Sequence, residues 1–402
     1  MTPSPELIVY LRRVKLGGLA LALAGGLACV YGYANLRDEF YPAYLTAYLY
    51  WLGMSLGCLG LAMLHGLTGG AWGTAIRRVI EAGFQTLPLM AVLFVPLWLG
   101  VERIYEWADP EVVQRHELLA RKAGYLNVAG FHTRAIIYFV VWIVIGWLLI
   151  LSSPNDETQT DSPRSRRLQR TSALGFIAYG LTITLAAVDW VMSLEPEWYS
   201  TMYGVLYMGG QAVSGMSFAL VVVLLLGQFE PWSRTITSQR RNDLGNLLLA
   251  FVMFWAYVAF MQYLVIWSGN LPEENVWYLR RSQGGWQYLV ISLMALHFAV
   301  PFSLLLSRSQ KRDARGIFRV AILLLVMRYV DLYWLVVPGF QHDQYSDKWL
   351  SFHWLDLATM SAIGGGWLAL FGWRLLARVQ LPIYDPELVE AADERTHRTA
   401  VA

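Results

Sequence analysis

Apolar residues run along this chain in long unbroken stretches. Each is near the roughly 20 residues that carry a helix across about 30 Å of hydrocarbon. Ten can be marked: Leu16–Tyr33, Tyr44–His65, Phe84–Val101, Arg134–Leu151, Ala173–Leu194, Tyr203–Gln228, Leu244–Trp267, Trp286–Ser307, Gly316–Val337 and Phe352–Leu376. Lipid offers a backbone no hydrogen-bond partner, so runs of this length predict helices. Strand-length segments of strict alternation are missing, which removes an outer-membrane barrel. Between the runs, Ser152–Arg170 reads as a polar, proline-containing cytoplasmic linker joining two halves, and Asp109–Lys122 has helical periodicity and is expected on the outer surface. A weak repeat accompanies this division. Val188-Asp189 is followed by Pro196, and Val330-Asp331 by Pro338 at the same interval. Spans two to five and six to nine then form two parallel four-helix units. The predicted architecture is an all-α membrane domain over 1–380, with four-helix bundles at 44–194 and 203–338 flanked by the first and last helices. A polar cytoplasmic tail follows at 381–402.

Composition agrees with the pattern. The chain is 56% hydrophobic and 15% charged, with 18 Trp and 22 Tyr, far more apolar than a closed soluble core needs. An ordinary cytosolic enzyme is excluded. With the N-terminus inside, inner segments hold 21 of the 31 Lys and Arg residues and outer segments 9. Both termini are therefore expected in the cytoplasm. Trp190, Trp198, Trp267, Trp277 and Trp286 lie near span ends, where interfacial belts form. Arg12, Arg13 and Lys15 precede a first span without a small-residue cleavage site, so an uncleaved start is expected. Cys29 and Cys58 cannot supply a disulfide framework, the four thiolates of an iron–sulfur cluster or a c-type haem attachment. No phosphate loop, dinucleotide fingerprint or zinc spacing is present, and nothing points to nucleic acid.

An ionisable group within a span costs about 2.5–3.5 kcal/mol on insertion scales, so each needs a reason. Toward the outer side lie His132, Arg134, Asp189, Gln262, Asp331, His353 and Asp356; toward the inner side lie His65, Glu81 and Gln85. His297 and Arg328 are near mid-membrane, with Gln211 between mid-depth and the outer side. Titratable groups at successive depths make His65, Glu81, Asp189, His297, Arg328 and Asp331 candidates for a proton path. The bland readings stand beside this one. Arg328 and Asp331 can neutralise each other on one helix face. Asp189, His353 and Asp356 lie close enough to span ends to be solvated, and a helix-to-helix hydrogen bond would account for His297. Glu195, Glu197, Glu273 and Glu274 read as solvated loop residues. Pro88, Pro96 and Pro301 should kink their helices.

Several segments carry a resemblance. They are Asp189-Trp190-Val191-Met192-Ser193-Leu194-Glu195-Pro196-Glu197-Trp198-Tyr199-Ser200-Thr201, Gln262 to Glu274, Trp277-Tyr278-Leu279-Arg280-Arg281 with Gly284-Gly285-Trp286, His297-Phe298 to Arg312, and Arg328 to Pro338 containing Asp331-Leu332-Tyr333-Trp334. Together they resemble the polysulfide-reductase-like (NrfD-like) membrane subunits, and within them the F-type subunits of bacterial alternative complex III, a quinol:electron-acceptor oxidoreductase. The likeness runs from about Arg115 to Glu390. It implies a multi-pass protein of the bacterial cytoplasmic membrane with two four-helix bundles, no catalysis of its own and no bound cofactor. Quinol, menaquinol or ubiquinol, would be the substrate of the whole complex. The implied partners are a paralogous NrfD-like quinol-binding subunit, a periplasmic iron–sulfur subunit and multihaem cytochrome c subunits, all within the lipid bilayer, and the implied contribution is proton translocation. Tyr125-Leu126-Asn127 and Arg134 fit the family pattern. Gly130, His132 and Thr133 depart from it, so His132 is not carried over as a site residue.

Two other classes compete. A secondary transporter shares the span count, the repeat and the charges, but usually breaks its helices at matching places in both halves; Pro88 and Pro96 have no counterpart in span seven. A haem anchor needs paired histidines at one depth, and only His297 is central. Asp109–Lys122 and Gly269–Gly285 are long for a compact bundle, and the second is rich in Trp, Tyr and Arg. Trp277, Arg280 and Arg281 are therefore candidates for a partner interface.

Overall fold

The computed structural model describes residues 3–152, 163–230, 232–340, 350 and 352–377. Ten helices are long and apolar enough to cross a membrane, and no strand occurs among the described residues. They are α1 (Pro5–Asn35), α2 (Arg37–Thr68), α3 (Ala71–Leu99), α4 (Val128–Ser152), α5 (Ser165–Leu194), α6 (Tyr203–Leu226), α7 (Ser238–Gly269), α8 (Trp286–Leu306), α9 (Ala314–Phe340) and α10 (Trp354–Ala377). The 381–402 tail and most of the polar part of the linker lie outside the described residues. Side-chain caps set several starts: Ser4 Oγ accepts Leu7 N–H, Thr237 Oγ1 accepts Arg240 N–H and Asp313 Oδ2 accepts Gly316 N–H. Asn270, in the left-handed region at φ 47°, ends α7 just before Pro272.

α2 forms the centre. It is buried on nearly every side and packs against α3, α5, α6, α9 and α10. A helix apolar all round suits that place. Its crossing with α6 is closed by two glycines, since a Cβ on Gly215 would lie 2.6 Å from the carbonyl carbon of Gly57. The neighbouring Gly53 meets Gln211 at an ordinary 3.6 Å, so of this pair only Gly57 is required by the approach. α1 runs along α10 on small residues: a Cβ on Gly18 would come within 2.8 Å of backbone atoms of Gly365 and Ala369. Within the triple glycine, Gly365 meets α1 and Gly364 meets Trp51, whereas Gly366 has room.

α3 differs most from expectation. It begins at Ala71, well before Phe84, because Glu81 pairs with both Arg77 and Arg78 and lets this charged turn pack inward. It is then broken at Gln85–Thr86 and at Phe94, and Pro88 and Pro96 occupy the first turns after the breaks. Thr86 Oγ1 donates to the Gly83 carbonyl at 2.6 Å and lies 2.7 Å from Ser55 Oγ, which accepts Trp367 Nε1–H at 2.8 Å. The freed Gly83 carbonyl is thus met by a side chain of α3 itself, whose hydroxyl is held in turn by Ser55 of α2 and, through it, by Trp367 of α10. α8 carries a π-helical turn, Leu293–Ala299, directly ahead of Pro301. Proline has no N–H for the carbonyl four residues back, that of His297, and a wider turn absorbs the mismatch.

The aromatic belt reading is corrected. Trp190, Trp198, Trp277 and Trp286 are buried core residues; Trp267 alone of the five is exposed. Indole rings near the span ends fill the interhelical space there, and Trp190 packs against Phe94, Phe139 and Trp142.

Candidate functional site

Buried polar groups gather in three places. The first is where α5 and α9 end. Asp189 is fully buried; its carboxylate accepts Arg134 Nε and Nη2 at 2.8 and 3.0 Å and the Tyr138 hydroxyl at 2.7 Å. Arg134 also donates to the Tyr125 carbonyl at 3.0 Å and lies 4.0 Å over the Tyr125 ring. Asp189 is therefore not a solvated end residue. Both carboxylate oxygens are engaged, and such fixed pairing holds a buried charge in place. Sequence reading missed Tyr138, although Arg134 and Tyr138 stand four apart and so share a helix face.

Beside this group, Arg281 joins three separate stretches of chain. It donates to Glu195 Oε1 at 2.5 Å, to the carbonyls of Trp334 and Leu335 at 3.1 Å each, and to that of Trp277 at 3.1 Å, and its guanidinium lies 3.8 Å over the Trp277 ring. Arg280 takes the other Glu195 oxygen at 3.0 Å. Two expectations change. Glu195 is a buried partner rather than a solvated loop residue. Trp277 and Arg281 are 2% and 1% exposed, so they hold this loop to its own chain and offer no surface. Arg280 is partly exposed yet already paired, and the large apolar side chains exposed here are Leu271, Val276 and Leu279, beside Pro272, Glu273, Ser282 and Gln283. The paired-glycine turn at Gly284 and Gly285, with φ of 58° and 91°, then leads into α8.

The second place lies within the spans. Arg328 and Asp331 form a buried ion pair on α9. A Cβ on Gly210 of α6 would collide with the Arg328 guanidinium, which packs 5.9 Å from the Tyr207 ring. His297, on the π-turn that packs against α9, is fully buried with its ring 4.1 Å from Trp255. Its ring faces the Met327 backbone on α9, Trp255 faces the Asp331 carboxylate and Tyr207 faces Gln211, all short of well-formed hydrogen bonds. Unmet buried polar atoms carry a desolvation cost that ordered water relieves. The helix-to-helix contact expected for His297 is the one its ring makes to the Met327 backbone of α9. Asp356 is also corrected: it is 3% exposed and accepts the His353 N–H at 2.8 Å, capping α10 instead of facing solvent.

The third place is at the opposite end of α2 and α3. Glu81 is buried between Arg77 Nε and Arg78 Nη1, both at 3.0 Å. His65 Nε2 lies 3.2 Å from the Gly70 carbonyl, with its ring edge-on to Trp72. His65, Arg77 and Glu81 line one small cleft with Ala62, Ile80 and Phe84. His132, by contrast, stacks on Trp98 at 3.9 Å with Nε2 3.1 Å from its carbonyl, a packing role.

A cavity of about 280 Å³ opens beside the first group, lined by Lys122, Tyr125, Val188, Met192 and Trp198 among others. The segment beside it, Asp109–Lys122, forms two short helices, Pro110–Arg115 and Glu117–Lys122. Lys122 donates to the Pro196 carbonyl at 2.6 Å; burial holds its pKa below the usual lysine value, opposed by Glu197. Burial and the Asp189 charge raise the Tyr125 phenol to about 12.

Fold and site together define a multi-pass helical membrane protein in which Glu81, Asp189 and Asp331 are held in buried ion pairs. No family model matches the chain, and no curated protein matches it either.

Proposed function

We propose that this chain is a membrane subunit of a quinol:electron-acceptor oxidoreductase of the alternative complex III type, with no redox centre of its own. One observation supports the reading above others. The 189–201, 277–286 and 328–338 segments, which carry much of the resemblance and lie far apart in sequence, meet at Arg281 through Glu195 and the Trp334 and Leu335 carbonyls. The motif is thus one spatial unit rather than a scatter of short likenesses. In this reading the chain sits in the bacterial cytoplasmic membrane with both termini inside. Its two four-helix bundles stand beside a paralogous quinol-binding subunit, an iron–sulfur subunit and multihaem cytochromes that oxidise menaquinol or ubiquinol.

Proton translocation would use few of the candidate groups. Glu81 is held by two arginines and Asp189 by Arg134 and Tyr138, which suits fixed charges better than relays. His297, fully buried beside the Arg328–Asp331 helix and held by no ion pair among the described residues, is the group best suited to exchange a proton. The transporter reading draws less support, because α4 and α7 are continuous while α3 and α8 are interrupted, so the breaks do not correspond between the halves.

Purification from native membranes in mild detergent tests the assignment. Co-purification of iron–sulfur and multihaem proteins is expected, and a chain that isolates alone, with no quinol oxidation in its fractions, would overturn it.

A further inference from the structure

The end of the molecule where α8 gives way to α9 is strongly basic. From Arg308 to Arg319 the chain carries Arg308, Lys311, Arg312, Arg315 and Arg319 against a single acid, Asp313. That acid is occupied in capping α9. Lys311 turns inward, buried, and donates to Asn246 Oδ1 at 2.6 Å, and Arg312 reaches Gln239 at 3.4 Å. Arg308, Arg315 and Arg319 are exposed, and no hydrogen bond or ion pair engages their side chains among the described residues.

Arg319 is the informative one. It stands five residues past Ala314, which at 1.5 Å per residue is about 7–8 Å along a helix apolar enough to span a membrane. Spacings of four, three and four residues put Arg315, Arg319, Ile322 and Val326 on one face, and Ile322 and Val326 are exposed. A single stripe therefore passes from two unpaired guanidiniums to apolar surface. An arginine at that depth needs an anion within reach of its flexible stem.

We propose that this stripe binds an acidic phospholipid, with the headgroup phosphate between Arg315 and Arg319 and an acyl chain along Ile322 and Val326. A planar guanidinium fork matches phosphate oxygens. The adjoining apolar strip matches a tail, a combination a soluble acidic protein would not present at this depth. The inference is independent of the quinol reading.

The test is native mass spectrometry of the purified full chain in nanodiscs that mix phosphatidylglycerol with phosphatidylcholine. Preferential retention of phosphatidylglycerol is expected. Arg315→Gln with Arg319→Gln should lower its apparent affinity about 25-fold, near fivefold for each basic residue. The paired lysine variant should keep most of the binding. Arg115→Gln, which removes an exposed arginine already paired with Glu111, should change nothing. If the double variant does not fold, Arg319→Gln alone and the wild-type salt dependence read the same electrostatics. Equal retention of both lipids, undiminished binding by the glutamine variants, or salt-insensitive retention would overturn the proposal. So would displacement of the lipid by millimolar inorganic phosphate, which would assign the arginines to a free anion.

Discussion

Replacing Arg281 by methionine keeps much of the side-chain volume and removes the charge and every donor. Glu195 then loses one of its two arginines, and the carbonyls of Trp334 and Leu335, near the end of α9, lose their donor. Breaking a buried ion pair by deleting one partner costs about 3–5 kcal/mol. Glu195 keeps Arg280, which sets the expected loss at the lower end, about 3 kcal/mol. Arg280→Gln removes a more exposed partner and should cost about 1 kcal/mol or less. Arg281→Lys should fall between, because an ammonium keeps the charge but cannot bridge a carboxylate and three carbonyls in one plane. Cys29 and Cys58 are both buried and free, so thiol labelling during thermal or denaturant unfolding in detergent reports the transition directly. A double-mutant cycle with Glu195→Gln should return a coupling of about 0.5–3 kcal/mol. If Arg281→Met unfolds no earlier than Arg280→Gln, the Arg281 junction does not hold these segments together and the argument fails.

Four further outcomes are expected. His297→Gln and Asp331→Asn, in the assembled complex reconstituted into vesicles, should lower proton movement while quinol oxidation persists; unchanged proton stoichiometry in both would reduce these groups to packing. Gly57→Leu should destabilise the chain by about 1–3 kcal/mol or more, because its neighbour across the α2–α6 crossing is backbone that cannot yield, whereas Gly53→Ala should be nearly silent. Burial holds the Tyr125 and Tyr278 phenols at about 12, above the usual value near 10. A raised folded-state pKa adds stability that is present below pH 10 and lost as pH climbs toward 12, so a Tyr125→Phe, Tyr278→Phe double variant should show a shallower alkaline loss in pH-dependent unfolding. An alkaline-phosphatase fusion at Pro272 should be active and one after Ala402 inactive; the reverse pattern would invert the proposed orientation.

The count and type of the membrane helices were legible in the sequence because hydrocarbon imposes one rule on every residue of a span: the backbone must bond within its own segment. That rule acts locally, so apolar run length was enough to mark ten helices, and a proline at 301 was enough to mark a disturbed turn in α8. The start of α3 was not legible, since Arg77, Arg78 and Glu81 look unfavourable one by one and become acceptable once both arginines share the Glu81 carboxylate. The fate of the polar residues also needed the tertiary structure. Asp189, Glu195 and Asp356 read as solvated because sequence shows distance from a span end but not what stands opposite. The partners that bury Asp189 and Glu195 come from positions 55 and 86 residues away, at Arg134 and Arg281. Trp277 looked like an interface residue for the same reason, until Arg281 and Trp198 were found on either side of it. Run length is a property of neighbours in the chain, whereas burial and pairing belong to neighbours in space, and among ten span-length helices those two sets overlap little.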